Sequence, residues 1–325
     1  MVPHRPRRLI SAGSIVADVR VAAPHLPVRG GDVVTSSATM AAGGGFNILS
    51  AAARQGLATL FAGRHGVGPY GDCIRAALAR EGIAMLLPPD GEGDSGFCFV
   101  IVEPDGERSF ITSPGVEARL GRRRFGDIPL RAGDAVFVSG YDLCYPALGP
   151  AIAAWIAALP GDVLLVVDPG PLVADIPSGI RDTALSRAGI LTLNRREAQL
   201  FAEAEDTDEM LRRLRLRLAR DVLLVMRDGA DGCHISGAGV AAPGIHLSPP
   251  AVVAVDTTGA GDTHTGVLIA SLADQGDVVA AATRANVAAA LSVTRPGPAT
   301  SPTKQEVDAF LAETKWRVRR TIEIT

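Results

Sequence analysis

Apolar and polar positions fall into two alternating patterns along the chain. Short apolar runs at 9–16, 57–62, 134–139, 163–167, 190–193 and 222–226 predict strands. Residues 46–55, ended by Gly56, and 72–81, ended by Gly82, predict helices, as do 263–274 and 278–293. Helical stretches lie between most of the strands. This alternation argues for an α/β fold, a parallel sheet with helices on both faces. A further apolar run, 251–255, reads as a strand that feeds the helix at 263.

Two segments break the rhythm. Residues 19–42 hold Pro24, Pro27, Gly30 and Gly31 among β-branched residues. Residues 97–112 alternate Phe, Val and Ile around Pro104-Asp105-Gly106-Glu107, the pattern of a hairpin. Together they predict a small sheet that projects from the main domain and acts as a lid. Arg108, just after that turn, reads as a solvated hairpin charge, with a reach over the site beneath the lid as the alternative.

The chain has 325 residues, 47% of them hydrophobic, and a net charge of −3. That is globular composition without the basic footprint of a nucleic-acid binder. The basic run Arg122–Arg124 reads as a solvated loop. Arg212, Arg213, Arg215 and Arg217 interleave with leucines as on a surface helix. Cys73, Cys98, Cys144 and Cys233 are far apart and form no CxxC, so free thiols in a reducing compartment are expected. Met1–Arg8 is basic, but the run after it holds Ser11, Gly13, Ser14 and Asp18, a poor signal-peptide core. No apolar stretch is long enough to cross a bilayer, and a cytoplasmic protein without a membrane partner is expected.

The most specific motif is Asp256-Thr257-Thr258-Gly259-Ala260-Gly261-Asp262, directly before a helix. Small residues at 259–261 let backbone N–H groups approach an anion, and the helix start adds partial positive charge. Such a loop can hold a transferring phosphate, with Asp262 placed to accept a proton from an attacking hydroxyl. The bland alternative is a glycine turn capped by Asp262. Gly43-Gly44-Gly45-Phe46-Asn47 is a second cluster, readable as a phosphate loop, a plain turn or a substrate contact. Asn194 and Glu197, three apart at a helix start, can face one site and orient hydrated Mg²⁺ or phosphate, or simply form a capping box. Arg227-Asp228-Gly229-Ala230-Asp231-Gly232 reads equally as a hairpin turn. Six scattered histidines lack metal-ligand spacing, and His264 reads as packing. A dinucleotide fingerprint and a GxSxG serine are both missing.

The heptad 256–262, the glycine region 43–47 and the order of elements between them resemble the PfkB/ribokinase family of carbohydrate kinases over nearly the whole chain. The resemblance implies one domain, 1–325: a ribokinase-like doubly wound, mostly parallel sheet with a discontinuous β-lid from about 19–42 and 97–112. It implies ATP and Mg²⁺, a sugar-like substrate and a homodimer through the lid. Carried over residue by residue, Asp262 is the catalytic base, and the amides of Gly259, Ala260 and Gly261 form the anion hole. Asn194 and Glu197 organise Mg²⁺ and phosphate. Arg227, Gly229 and Gly232 form the nucleotide-site turn, and Asn286 lies near the adenine. Asp18, Gly43, Gly44 and Asn47 hold sugar hydroxyls, with Tyr141 beside them. Asp256, Thr258, Gly297 and Ser301 match positions where some relatives bind K⁺.

Three positions depart from the family pattern. Val16 stands where ribokinase-like sequences have Asn, and Gly68 where the second glycine signature carries Asp. Gly140-Tyr141 stands where ribose-specific relatives place a carboxylate. The pocket is expected to be less polar there, which points away from ribose. Alternatives are a nucleoside kinase of the same fold, using Phe46, Phe97, Phe99 or Tyr141 as a base slot, and a non-catalytic small-molecule binder. An NAD-dependent oxidoreductase is disfavoured by the missing fingerprint.

Overall fold

The structure is a computed structural model that describes residues 5–104, 107–119, 125–241, 244–314, 318 and 320–322. The first expected strand divides. β1 (Arg8–Ser11) stops at Ser11, and a new strand, β2 (Ile15–Ala22), starts after Ala12, Gly13 and Ser14. A buried carboxylate pins this break: Ser14 N–H donates to Asp142 Oδ1 at 2.7 Å. Apolar residues on both sides of the Ser11–Ser14 interruption hid the change of sheet.

The remaining elements follow in chain order. They are β3 (Ser37–Gly44), α1 (Gly45–Arg54), β4 (Ala58–Phe61), α2 (Pro69–Arg80), β5 (Ala84–Met85), β6 (Phe97–Val102) and β7 (Arg108–Ser113). Then come β8 (Asp134–Ser139), α3 (Gly140–Cys144), α4 (Leu148–Ala157), β9 (Leu164–Asp168), α5 (Ser178–Arg187), β10 (Ile190–Asn194), α6 (Arg195–Ala202) and α7 (Thr207–Leu216). Last are β11 (Leu223–Arg227), β12 (Cys233–Gly237), β13 (Ile245–Leu247), α8 (Ala260–Gln275), α9 (Val278–Ser292), α10 (Lys304–Glu313) and β14 (Arg320–Ile322).

The large sheet has the order β14-β13-β12-β11-β10-β9-β8-β1-β4-β5. From β5 to β11 every pairing is parallel, and β12 to β14 add an antiparallel edge. Successive strand residues point to opposite faces, so each strand supplies two cores. Leu9, Phe137, Val166 and Val225 join Leu49, Val267 and Ala285 on one side. Ile10, Val136, Leu165 and Leu224 join Ile152, Phe201 and Leu214 on the other. Helices thus cover both faces, as the apolar runs require. The chain leaves β1 toward β4 and later resumes at β8 on the other side. That reversal is a switch point, where the carboxyl ends of parallel strands open a crevice.

The small sheet has the order β3-β2-β6-β7. Asp18 lies within β2, not at its junction with the large sheet. Asp18 and Arg20 share one face. On the other, Met40, Val19, Phe99 and Ile111 form one row across the four strands. The expected strand at 251–255 does not form; these residues run as irregular chain, with Val253 85% exposed.

The arginine-rich stretch lies on and just beyond α7, where Arg212 and Arg213 pair with Glu209. Residues 105–106 of the β6–β7 turn and the run Arg122–Arg124 lie outside the described residues. The four cysteines are free. Among the described residues no helix is long and apolar enough to cross a membrane.

Candidate active site

The heptad folds as a tight entry into α8. Gly259 is left-handed at φ 75°, and a Cβ there would lie 2.1 Å from the Pro298 carbonyl oxygen, so both conformation and space require glycine. No side chain caps the helix. Its first N–H groups lack intrahelical acceptors and face the positive end of the helix dipole. Of the three expected anion-hole positions, Ala260 already donates its N–H to the Thr257 carbonyl, at a long 3.3 Å.

Asp262, in the first turn, sits on the floor of a cavity of about 260 Å³, also lined by Ser139, Asp168, Asn194 and Arg227. Those four end β8, β9, β10 and β11, so the crevice at the switch point is the place where the motifs meet. Burial pushes the Asp262 carboxyl up to about 6; Asp168 adds to the rise, while Asn47 and Arg227 oppose it. Asn47, buried on α1, donates from Nδ2 to Asp262 Oδ2 at 2.9 Å. Its Oδ1 is buried without a partner among the described residues and keeps its acceptor capacity. Asp18 is pushed up to about 7, first by burial and then by the charge of Asp262. Gly43 leaves room for it: a Cβ would lie 2.1 Å from Asp18 Oδ2. Gly44 ends β3, caps the start of α1 and lines the Asp262 cavity.

Asn194 and Glu197 do form a capping box, with Asn194 N–H to Glu197 Oε2 at 2.7 Å and Glu197 N–H to Asn194 Oδ1 at 2.9 Å. They line the Asp262 cavity as well, so both readings hold. Burial and Asp168 push the Glu197 carboxyl upward. Arg227 lines the cavity at Gly229 and Gly232 and also reaches into the Asp262 site. Its Nη1 reaches Asp168 Oδ2 at 2.9 Å, Thr265 Oγ1 at 3.0 Å and the Gly261 carbonyl at 3.1 Å. Its Nη2 is 3.5 Å from Glu197. Asp168 is the residue that sequence reasoning missed; its signal was the Asp-Pro-Gly that ends a strand.

A second cavity, of about 380 Å³, opens on the far side of Arg227. Gly229 and Gly232, in the β11–β12 turn, line it together with Asn286, Val252 and Ala254. The failed strand 251–255 thus serves as an apolar wall. Asn286 donates to the Leu247 carbonyl at 2.8 Å. His264 is buried there, held down at about 3 by burial and then by Arg227, so it is neutral packing.

The four cation positions are only partly assembled. Asp256 accepts Thr258 N–H at 3.0 Å, Thr258 Oγ1 at 2.7 Å and Gly297 N–H at 3.0 Å. Arg20 closes on the same carboxylate, and Arg108 Nη1 is 3.7 Å away. That carboxylate is satisfied, and a monovalent cation would have to displace an arginine. The Ser301 hydroxyl, buried without a partner among the described residues, retains acceptor capacity. For Mg²⁺, no cluster of three or more His, Cys, Asp or Glu occurs among the described residues. Glu197 and Asn194 fit an ion that keeps its waters and arrives with phosphate.

Arg108 is not a solvated hairpin charge. It bonds Thr258 Oγ1, and Thr257 Oγ1 at 2.8 Å, across the site. At the departure positions, Asp94 docks on the start of α2, accepting from Tyr70 N–H at 3.0 Å and Gly71 N–H at 2.8 Å, next to Gly68. Val16 pairs with Gly43 in the β2–β3 ladder. Tyr141 lines the Asp262 cavity. Phe46 is buried in the core, Phe97 packs on Tyr70 and Phe99 lies on the outer face of the small sheet. Beside these less polar positions, Arg20 lines a neighbouring cavity with Asp18 and Thr258.

Residues 7–305 match the model of the pfkB family carbohydrate kinases. The chain belongs to that family. It is 32% identical over 308 residues to an uncharacterised sugar kinase, YegV, of Escherichia coli K12, covering 91% of both chains. It is 29% identical to an ATP-dependent ribose-1-phosphate kinase of Halopiger xanaduensis, covering 94% of this chain and 98% of that one. Its fold matches an Arabidopsis thaliana ribokinase complexed with ribose and ATP at a TM-score of 0.76 and 22% identity, covering 97% of this chain and all of the other. As a pfkB carbohydrate kinase it is a phosphotransferase with a hydroxyl acceptor.

Proposed function

We propose that this pfkB kinase transfers the γ-phosphoryl group of ATP to a hydroxyl of a sugar-like small molecule, with Asp262 as general base. The observation that carries the reading is the placement of Asp262. It lies at the amide-rich start of α8, between the apolar cavity beyond Arg227 and the Asp18–Asn47 side. The relative from A. thaliana binds ribose and ATP. We assign adenosine to the apolar cavity at Gly229, Gly232 and Asn286, and the acceptor to the side of Asp18, Gly43, Gly44, Asn47 and Tyr141.

In the transfer step the acceptor oxygen forms a bond to Pγ as the bond from Pγ to the bridging oxygen of ADP breaks. The hydroxyl proton passes to the Asp262 carboxylate. The first-turn amides at 259–261 and Arg227 offset charge on the moving phosphoryl group. Mg²⁺ would supply neutralisation of the nucleotide phosphates when bound, and Asn194 and Glu197 are the residues that would hold it. K⁺ has a minor role at most, because the arginines occupy Asp256.

The chain acts as one kinase unit whose small sheet is the lid, keeping water from the acceptor. The row Met40, Val19, Phe99 and Ile111 on its outer face suits pairing with a second copy in a cytoplasmic homodimer. The nucleoside alternative has Tyr141 to support it. The test of the main reading is ADP formation over a panel of sugars, sugar derivatives and nucleosides, in wild type and in Asp262→Asn.

A further inference from the structure

Two arginines of the small sheet, far apart in sequence, meet over one carboxylate beside the acceptor site. Arg20 follows Asp18 by two residues on β2, on the same face and about 7 Å along the strand. Arg108 begins β7 and reaches Thr257 and Thr258 in the heptad. Both turn to Asp256. That carboxylate already has three neutral donors from Thr258 and Gly297. Two cations over one anion leave an excess positive charge, and a lid latch would need only one.

The arginines are not sealed in. Their side chains are 31% and 26% exposed, against 4% for Asp256. Arg20, Asp18 and Thr258 line a cavity of about 330 Å³ between the small sheet and the loop at Pro296–Pro298. A guanidinium carries five N–H donors in a fork that suits carboxylate or phosphate oxygens. Arg20 uses Nη1 on Asp256, and among the described residues no other hydrogen bond engages its fork, which can meet a second acceptor. The opposite end of the site is acidic, with Asp18 and Asp262. An anion is repelled by Asp262 when that carboxyl is ionised and attracted at the arginines, so charge favours one orientation of a substrate.

Building on the kinase reading, we propose that the acceptor is a sugar bearing an anionic group, a phosphate monoester or a carboxylate. Arg20 and Arg108 hold that group while a hydroxyl at the other end faces Asp262.

The test is ADP formation by the full chain with D-ribose, D-fructose, D-ribose 1-phosphate, D-ribose 5-phosphate, D-fructose 6-phosphate and D-gluconate. An anionic compound should exceed the neutral sugars in kcat/KM by about a hundred-fold, the scale of two charged hydrogen bonds. Preference among the phosphates or for gluconate identifies the anion. The double variant Arg20→Gln, Arg108→Gln should collapse the ratio of anionic to neutral kcat/KM, whereas a mere latch would lower both alike. Arg20→Lys should keep part of the preference. Should the double variant fail to fold, inorganic phosphate competing with the acceptor in wild type, and less well in Arg20→Gln alone, reads the same site. Transfer to neutral sugars in preference to every anionic compound, or a ratio unchanged in a folded double variant, overturns the inference and leaves the kinase reading standing. No transfer to any compound contradicts both.

Discussion

The two halves of the site are built by different physics. The half on the large sheet is made of strand ends and one helix start: Ser139, Asp168, Asn194 and Arg227, with Asp262 beneath them. Its groups are packed by two cores and tuned by burial, which raises Asp262 and Glu197 together. The half on the small sheet has an exposed outer face and reaches the heptad through long arginine side chains. On the proposed reading, chemistry belongs to the large-sheet half and selection to the small-sheet half, the division a lid would need.

The largest effect that would break this division is at Asp262. Asp262→Asn should lower kcat by about 10²–10⁴-fold, the usual worth of a general base, while ATP still binds. Next is Asp18→Ala. It should raise the acceptor KM by about ten- to a hundred-fold, from ~1.5–3 kcal/mol per hydrogen bond to a charged group, and change the KM for ATP little. An equal rise in both would place Asp18 with the nucleotide.

The pH profile sharpens the same contrast. A base must be ionised, so kcat/KM should rise with pH through about 6, the Asp262 value, and be lost below it. Stability should move the opposite way. The Asp262 carboxyl binds its proton more tightly folded, about 6, than unfolded, 3.8. Its contribution is therefore most favourable below pH 3.8 and falls as pH rises to about 6. Asp262→Asn should stabilise the protein by about 1–2 kcal/mol at pH 8, with no gain near pH 3.5, measured by denaturant unfolding. The smallest effect is that of K⁺. Equal rates in Na⁺ and K⁺ buffers are expected, and a rate several times higher in K⁺ would show that the Arg20–Asp256 pair yields to a cation.

The same division explains what could be read from the chain. The heptad 256–262, the Asn194–Glu197 pair and the strand ends are local patterns, and local geometry places them. Arg108 and Thr258 are 150 residues apart, and nothing near Arg108 signals that contact. It depends on how the small sheet leans over α8. The split at Ala12–Ser14 was hidden because residues on either side are equally apolar. The run 251–255 misled for the reverse reason: Ala251, Val252 and Ala254 line a cavity while Val253 and Val255 face solvent, and none enters a sheet.

The central claim is that Asp262 takes the proton from the acceptor. Single-turnover phosphoryl transfer with preformed enzyme–ATP, followed from pH 5 to 9 in wild type and Asp262→Asn, tests it most directly. The account predicts a wild-type rate that rises through the carboxyl ionisation, and a variant that binds ATP but transfers slowly with no such limb. A variant that transfers within a few-fold of wild type, with the same pH dependence, would contradict it.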